Sequence, residues 1–377
     1  MKFIISRNEF FSRLQVVNKV IPSKSTYPML DNFKLVLEGD QLTITGTDLE
    51  TTMISKLTVD NAEGEGSLAI DAKRLLDILK EFPEQPLIFE VNDETKNVDI
   101  VTQTGKYSIG AQPADEYPEP PAIDENQAYT FTISSEALNR GISKTYFSTS
   151  NDDLQIIMTG IYIELKPENI TFVATDAHKL VRYRRSDFGA DMENSFILPK
   201  KPADLLRNIL SKADDMVKVV FNDRNAIFEL PEFKIVSRLI EGQYPNYESV
   251  IPSENPNTLT IDRLEFYNAI KRVSVFANEA SKLVKFTIDN NQVTISAQDI
   301  DFSISAEEHL PCNYDGEPMK IGFKSNFILE ILQNIDSPDV VMKMSDSSRA
   351  SLLLPSETED ENEDVLMLLM PMMLDEF

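Results

Sequence analysis

The sequence predicts an α+β protein built from three tandem copies of one domain. Three observations predict it, each occurring three times in the same order: a polar cap opening an amphipathic helix, an alternating hairpin ending at an aspartate, and a strand running into a second helix. At 377 residues the chain has room for two or three domains with ordinary cores.

The first helices open at Ser6, Ser134 and Asp262, a step of 128 residues both times. A carboxylate follows each cap within three positions (Glu9, Glu136, Glu265), which suits a helix N-terminus with its unpaired backbone N–H groups. The hairpin strands at 41–48, 169–176 and 292–299 alternate apolar and polar residues and end at Asp48, Asp176 and Asp299. Each follows another alternating run, at 33–37, 161–165 and 284–288, so half-buried hairpins are expected. The third trio, 70–79, 198–206 and 321–329, reads as a strand end entering a helix. Copies one and two close on Tyr117-Pro118 and Tyr244-Pro245, and copy three has Met370-Pro371 near its end. Pro-rich or polar linkers near 123–127 and 252–257 set the expected domains at 1–124, 125–253 and 254–377.

The formal charge of −26 alone argues against nucleic-acid binding, because phosphates would be repelled at long range. Position changes that reading. Bases outnumber acids roughly two to one on the expected helices, which leaves the acidic excess to strands, loops and tail. A basic helical face on an acidic body suits a protein that surrounds DNA through backbone contacts without reading its sequence. The candidates to face a duplex are Arg7, Arg13, Lys24, Lys73, Arg74, Arg140, Lys144, Lys200, Lys201, Arg207, Arg263 and Lys271. Lys19, Lys80, Lys212, Arg272 and Lys324 add to the helical charge. The acidic run at 357–364 reads as a solvated loop before the last strand.

Catalytic signatures are missing: no phosphate-binding Gly-rich loop, no His-Glu-x-x-His, no cysteine pair for zinc. His178 stands two residues after Asp176, but Asp48 and Asp299 lack such a histidine, so the aspartate reads as a repeated turn residue. No metal or cofactor is expected. The single cysteine, Cys312, excludes an internal disulfide and fits a reducing cytoplasm. No apolar run is long enough to span a membrane, and the start lacks the features of a signal or transit peptide. Spacing and charge leave two rivals open: a repeat scaffold that binds only proteins, and a metal-dependent nuclease using pairs such as Asp299 with Asp301.

Five stretches resemble the bacterial DNA sliding clamps, the beta subunits of DNA polymerase III, in order and spacing over essentially the whole chain. They are Met1-Lys2-Phe3, Gly46-Thr47-Asp48-Leu49-Glu50, the segment from Val173 to Leu180, Gly242-Gln243-Tyr244-Pro245-Asn246-Tyr247, and Met370-Pro371-Met372-Met373-Leu374. The resemblance implies three DNA-clamp domains per chain and a ring-shaped head-to-tail homodimer, helices lining the hole and sheets outside. Duplex DNA would thread the ring, and the ring would serve as a polymerase processivity factor. By position, closure would use Tyr107 and Ile109 of the first domain against Val275 and Phe276 of the third. The replicative polymerase, the clamp loader and other proteins with a clamp-binding motif would dock in an apolar pocket. Its positions here are Met158, Thr175, Ala177, His178, Lys179, Leu180, Pro245, Val250, Leu368, Met370, Pro371 and Met372. Ala177 and Lys179 stand where the family often has glycine and arginine. Ser249 and Met373 replace residues that are often basic, and Asp375-Glu376-Phe377 extends past the usual end.

Overall fold

The structure, a computed structural model, describes residues 1–92, 97–124, 127–211 and 215–374. Lys212 and the terminal Asp375-Glu376-Phe377 therefore lie outside the described residues.

The first repeat runs β1 (Lys2–Ser6), α1 (Arg7–Val17), β2 (Asn32–Glu38), β3 (Gln41–Thr47), β4 (Thr51–Thr58) and a short β5 (Asp60–Glu63). It continues with β6 (Gly66–Asp71), α2 (Ala72–Glu81), β7 (Pro86–Val91), β8 (Asn97–Val101) and β9 (Lys106–Gln112). The middle repeat is β10 (Tyr129–Ser134), α3 (Ser135–Tyr146), β11 (Gly160–Lys166), β12 (Asn169–Thr175), β13 (Lys179–Arg185) and β14 (Asn194–Pro199). Then come α4 (Lys200–Leu210), β15 (Met216–Phe221), β16 (Asn225–Glu229) and β17 (Phe233–Arg238). The third repeat is β18 (Asn257–Asp262), α5 (Arg263–Val273), β19 (Leu283–Asp289), β20 (Gln292–Asp299), β21 (Ile304–Pro311) and a short β22 (Asn313–Asp315). It closes with β23 (Met319–Lys324), α6 (Ser325–Gln333), β24 (Asp339–Met344), β25 (Ser351–Pro355) and β26 (Glu363–Leu369). Both helices and both hairpin strands of every copy lie where the sequence puts them. The strand leading each copy (β1, β10, β18) was not expected.

Local chemistry explains the boundaries. The caps accept N–H donors: Ser6 from Glu9 (3.3 Å), Ser134 from Ala137 (3.2 Å), Asp71 from Arg74 (2.7 Å) and Asp262 from Glu265 (2.7 Å). The repeated aspartates are Asx turns. Asp48 Oδ1 accepts from the N–H of Glu50 and Thr51, Asp176 from His178 and Lys179, and Asp299 from Asp301 and Phe302. The structural reading of these aspartates holds.

Contacts divide the chain into two compact units, Met1–Asn139 with Lys201–Leu239, and Arg140–Lys200 with residues from Ile240 onward. The first holds one continuous run of thirteen strands, β10-β15-β16-β17-β4-β3-β2-β6-β9-β8-β7-β1-β5. The second holds a nine-stranded sheet, β14-β11-β12-β13-β26-β25-β24-β18-β22, and a four-stranded one, β21-β20-β19-β23. The middle repeat is shared because its sheets do not stop at its ends. β17 continues into β4 of the first repeat (Ile235 opposite Met53), and β13 continues into β26 of the third (Val181 opposite Met367).

Helices cover one face of the sheets. In the first unit Phe10, Leu14 and Val17 of α1 are buried with Leu35, Ile44 and Met53, each such side chain contributing about 1.5–3 kcal/mol. α1 sits so close to β3 that a Cβ on Gly46 would lie 2.8 Å from Val17 Cγ1. In the second unit Gly141 of α3 makes the same kind of approach, 2.5 Å from the Phe172 ring.

Candidate functional site

The residues expected to form a partner pocket all lie in the second unit, and the β12–β13 turn organises them. Thr175 Oγ1 donates to the Lys179 carbonyl (2.8 Å) and accepts from the Ala177 N–H (3.1 Å). Ala177 takes φ +71°, a left-handed conformation that costs an L-residue roughly 1–2 kcal/mol and explains why glycine would be at home there. The His178 carbonyl accepts from the Met370 N–H (2.9 Å), which ties the tail to the turn. Leu180 pairs with Leu368 across β13 and β26, and both are buried in a cluster with Tyr244, Tyr247, Leu352 and Leu366. Met158, Pro371 and Met372 are half-buried, while Pro245, Val250 and Met370 are exposed. A buried base with an open apolar rim can take apolar side chains from a peptide.

Lys179 departs from a rim role. It is buried, its Nζ bonded to Asp176 Oδ2 (2.7 Å) and Glu330 Oε2 (3.1 Å) and seated 4.5 Å from the Phe327 ring centroid. His178 stacks on that same ring at 5.6 Å. Phe327 and Glu330 were missed because nothing local in α6 announces a neighbour on β13. Leu154 and Ile156 are exposed beside Met158, in the apolar run Leu154-Gln155-Ile156-Ile157-Met158.

The predicted DNA-facing residues separate into three groups. Lys24, Lys73, Arg74, Lys201 and Lys271 are exposed, and Lys200 and Arg207 are half-buried. Burial lowers the Lys200 amine below the ordinary lysine range, with the nearby Lys179 charge adding to the effect. Arg13 is ion-paired with Glu232, and Arg140 with Glu363 and Asp336. The rest serve the fold. Arg7 donates to the Leu79 (2.7 Å) and Lys80 (2.9 Å) carbonyls at the end of α2, and Arg263 to the Leu332 carbonyl (3.2 Å) at the end of α6 and the Ser337 carbonyl (2.9 Å) in the segment after it. Lys144 is buried, bonded to the Asn334 carbonyl (2.6 Å) and Asp336 (2.8 Å). A cation at a helix C-terminus completes carbonyls that have no intrahelical donor.

The acidic run needs correction. It is not simply solvated: Glu363 is buried and accepts from Tyr183 Oη (2.7 Å) and Arg185 (3.2 Å), Asp360 meets Arg185 (2.8 Å), and Asp364 meets Arg182. It balances the arginines of β13.

Two open stretches of strand edge, on β9 and β21, occupy equivalent places in the repeat. β9 pairs with β8 along its length but with β6 only at Ala111 and Gln112. β21 has β20 alone as a partner among the described residues. Near these edges Tyr107 is 41% exposed, Val275 74% and Phe276 36%, whereas Ile109 is already covered in its own unit (3%). Among the described residues no group of acidic, histidine or cysteine side chains could hold a metal ion, and no helix is long and apolar enough to cross a membrane.

A threefold α+β repeat with helices on one face of edge-joined sheets defines the architecture of a DNA clamp. Family models of the DNA polymerase III beta subunit match in chain order: the N-terminal domain over residues 1–121, the central domain over 132–246 and the C-terminal domain over 248–373. The chain belongs to this family, the beta sliding clamps. It is 28% identical to the beta sliding clamp of Pseudomonas aeruginosa over 99% of this chain and 100% of that protein. With the Vibrio cholerae beta sliding clamp it shares 29% identity over 94% and 95% of the two chains. The crystal structure of the Pseudomonas aeruginosa clamp bound to griselimycin superposes with a TM-score of 0.93 at 26% identity, covering 99% of this chain and 100% of that one. The Bartonella birtlesii clamp bound to griselimycin gives 0.92 at 28%, with the same coverage. The function is that of a polymerase processivity factor: a dimeric ring around duplex DNA that tethers polymerase and other clamp-binding proteins.

Proposed function

We propose that the ring closes through β9 of one copy and β21 of its partner, and that it acts without catalysing a reaction. The observation that carries this is the pairing of repeat edges. β4 pairs with β17 and β13 with β26, so the strands at the same places still lacking such a partner are β21 and β9. The register transfers with them. Gly46 opposite Met53 corresponds to Ala297 opposite Ala306, and Glu229 opposite Lys234 corresponds to Val101 opposite Lys106. The Met53–Ile235 pair then becomes Ala306 opposite the partner's Tyr107. Ile304 falls opposite Ile109, Ser305 opposite Ser108, and Glu307 opposite Lys106. Tyr107 and Ile109 share the sheet face of buried Ile100 and Val98, and Ile304 and Ala306 that of Ile295 and Ala297. The helical turn Ser274–Phe276 packs on β21, which gives Val275 and Phe276 a place in the same contact. A head-to-tail contact that closes after two copies leaves neither of these two edges open.

For the hole we infer that Lys24, Lys73, Arg74, Lys200 and Lys271 meet phosphates, with Lys201, Arg207, Arg13 and Arg140 partly neutralised by the carboxylates of Asp48, Asp204, Glu232 and Glu363. For partners we infer a peptide site with its rim on Met158, Ala177, His178, Pro245, Val250, Met370, Pro371 and Met372 and its base on Thr175, Leu180 and Leu368. Boundaries at 1–124, 125–253 and 254–377 respect the repeat, since β10 opens at Tyr129 and β18 at Asn257. A cytoplasmic location accords with the single cysteine.

Loading on DNA tests the ring. Protein placed on a nicked circle is expected to stay bound in high salt and to slide off once the circle is cut; equal loss from both templates overturns the reading. Deleting residues from Met370 onward is expected to abolish polymerase stimulation while the dimer persists.

A further inference from the structure

The repeat makes the two units comparable strand for strand, and one place is full in the second and open in the first. In the first unit, the face opposite buried Leu35, Ile44 and Met53 carries a groove of about 570 Å³ over β2, β3, β4 and β17. Val36, Thr45 and Ile54 lie in its floor, and Pro118, Pro120, Pro231 and Lys234 also line it.

The corresponding ground in the second unit lies over β11, β12, β13 and β26, and the chain's own linker covers it. Tyr247 is buried there, 6.1 Å from the Tyr162 ring, and its hydroxyl donates to Glu164 (3.1 Å). The next residue, Glu248, reaches Arg184 at 3.7 Å.

Aligned on the two Tyr-Pro turns, Pro120 stands where Tyr247 stands. By strand register Lys34 replaces Tyr162, Val36 replaces Glu164 and Lys56 replaces Arg184. The first unit therefore keeps the cation but lacks the ring and the carboxylate that occupy the second. Lys34 is engaged by Glu119 and Lys234 by Glu229 (3.0 Å), whereas exposed Lys56 has no ion pair among the described residues.

We propose that this groove docks an extended peptide of a partner protein bearing an aromatic residue followed directly by an acidic one. The ring lies over Val36 and Ile54, and the carboxylate meets Lys56. Phenylalanine is preferred to tyrosine, because Val36 offers nothing to a buried hydroxyl where Glu164 accepts one.

The probe is a fluorescein-labelled peptide copying residues 244–251 with phenylalanine at the Tyr247 position, titrated against the full-length dimer by anisotropy. Saturable binding is expected. It should fall about tenfold or more with alanine for that phenylalanine or with Val36→Arg in the protein. Lys56→Glu should weaken it about two- to fivefold and favour, by a similar factor, a peptide carrying lysine in place of the glutamate. That exchange of preference comes from an exposed residue, so it remains readable if Val36→Arg disturbs folding. Absence of saturable binding overturns the proposal. So does binding that ignores Val36→Arg and Lys56→Glu but disappears on deleting residues from Met370 onward, which assigns the peptide to the other site.

Discussion

Cysteines at Ser108 and Ser305, in a chain whose only native cysteine has been removed by Cys312→Ser, test the ring register directly. Residues directly opposed in an antiparallel pair have Cα atoms about 4.5–5.5 Å apart, inside the roughly 4.4–6.8 Å a disulfide spans. A residue two positions along is displaced by a further ~6.8 Å along the strand, which puts the diagonal near 8 Å and out of reach. Ser108→Cys with Ser305→Cys is therefore expected to cross-link under mild oxidation, and Ser108→Cys with Glu307→Cys is not. Each ring contains the contact twice, so complete oxidation makes a covalently closed circle of two chains. Loaded on a closed DNA circle before oxidation, that circle should stay threaded through detergent denaturation and be released by reductant or by cutting the DNA. Cross-linking at 108 with 307 but not with 305 would mean a register slipped by two residues. No cross-link in any combination would refute β9 and β21 as the closing strands.

Other consequences follow from the same contacts. Glu307→Lys replaces an opposite-charge cross-strand pair with a like-charge one at both contacts, costing about 1–4 kcal/mol per ring and raising the dimer dissociation constant about fivefold to a thousandfold; sedimentation should show recovery when Lys106→Glu is added. Arg263→Ala removes two charged donors, one from the Leu332 carbonyl at the end of α6 and one from the Ser337 carbonyl after it, so urea unfolding should report a loss of about 1–3 kcal/mol while retention on circular DNA is unchanged. The Arg185 guanidinium beside Asp187 holds its carboxyl below the usual carboxylate range. That stabilisation is complete above the unfolded carboxyl value of about pH 4 and is lost as pH falls through the lower folded value. Asp187→Asn should accordingly flatten the acid side of the stability profile and leave it near neutral pH lower but parallel.

What was legible in the sequence was local. Caps at Ser6, Ser134 and Asp262, strand alternation and the Asp48, Asp176 and Asp299 turns each depend on residues within a few positions, so spacing alone exposes them. What was not legible depends on partners far along the chain. Charge marks Arg7 and Arg263 as cations without revealing that helix-end carbonyls, roughly seventy residues away, claim them first. Lys144 reads as a surface base until Asn334 and Asp336 are beside it. The acidic run looks like a free loop because the arginines of β13 that organise it lie about 180 residues earlier. The sharing of the middle repeat between units was hidden for the same reason: the pairings that cause it join different copies.

An open edge strand invites pairing with any other, and the charges at these two edges narrow the choice. β21 presents Glu307 and Glu308 in the middle of the strand, so two copies of β21 would set carboxylate against carboxylate. Arg272 already neutralises Glu308 at 2.6 Å, whereas Glu307 meets only the His309 ring, at 3.3 Å. β9 offers Lys106, which Asp99 of β8 also holds at 2.8 Å, at the matching register position, and its serine and glycine positions add no acid. The turn before β21 is also two residues longer than its counterparts and presents Ile300 and Phe302, 68% and 73% exposed, where copies one and two have Leu49-Glu50 and Ala177-His178. One turn of one repeat thus stands in three settings: in copy one it lies beside an internal strand pair, in copy two beside the proposed peptide site, and in copy three beside the edge proposed to close the ring. The acidity that first argued against DNA has a use at that edge, because it lets β21 accept the first repeat of a partner and refuse another β21.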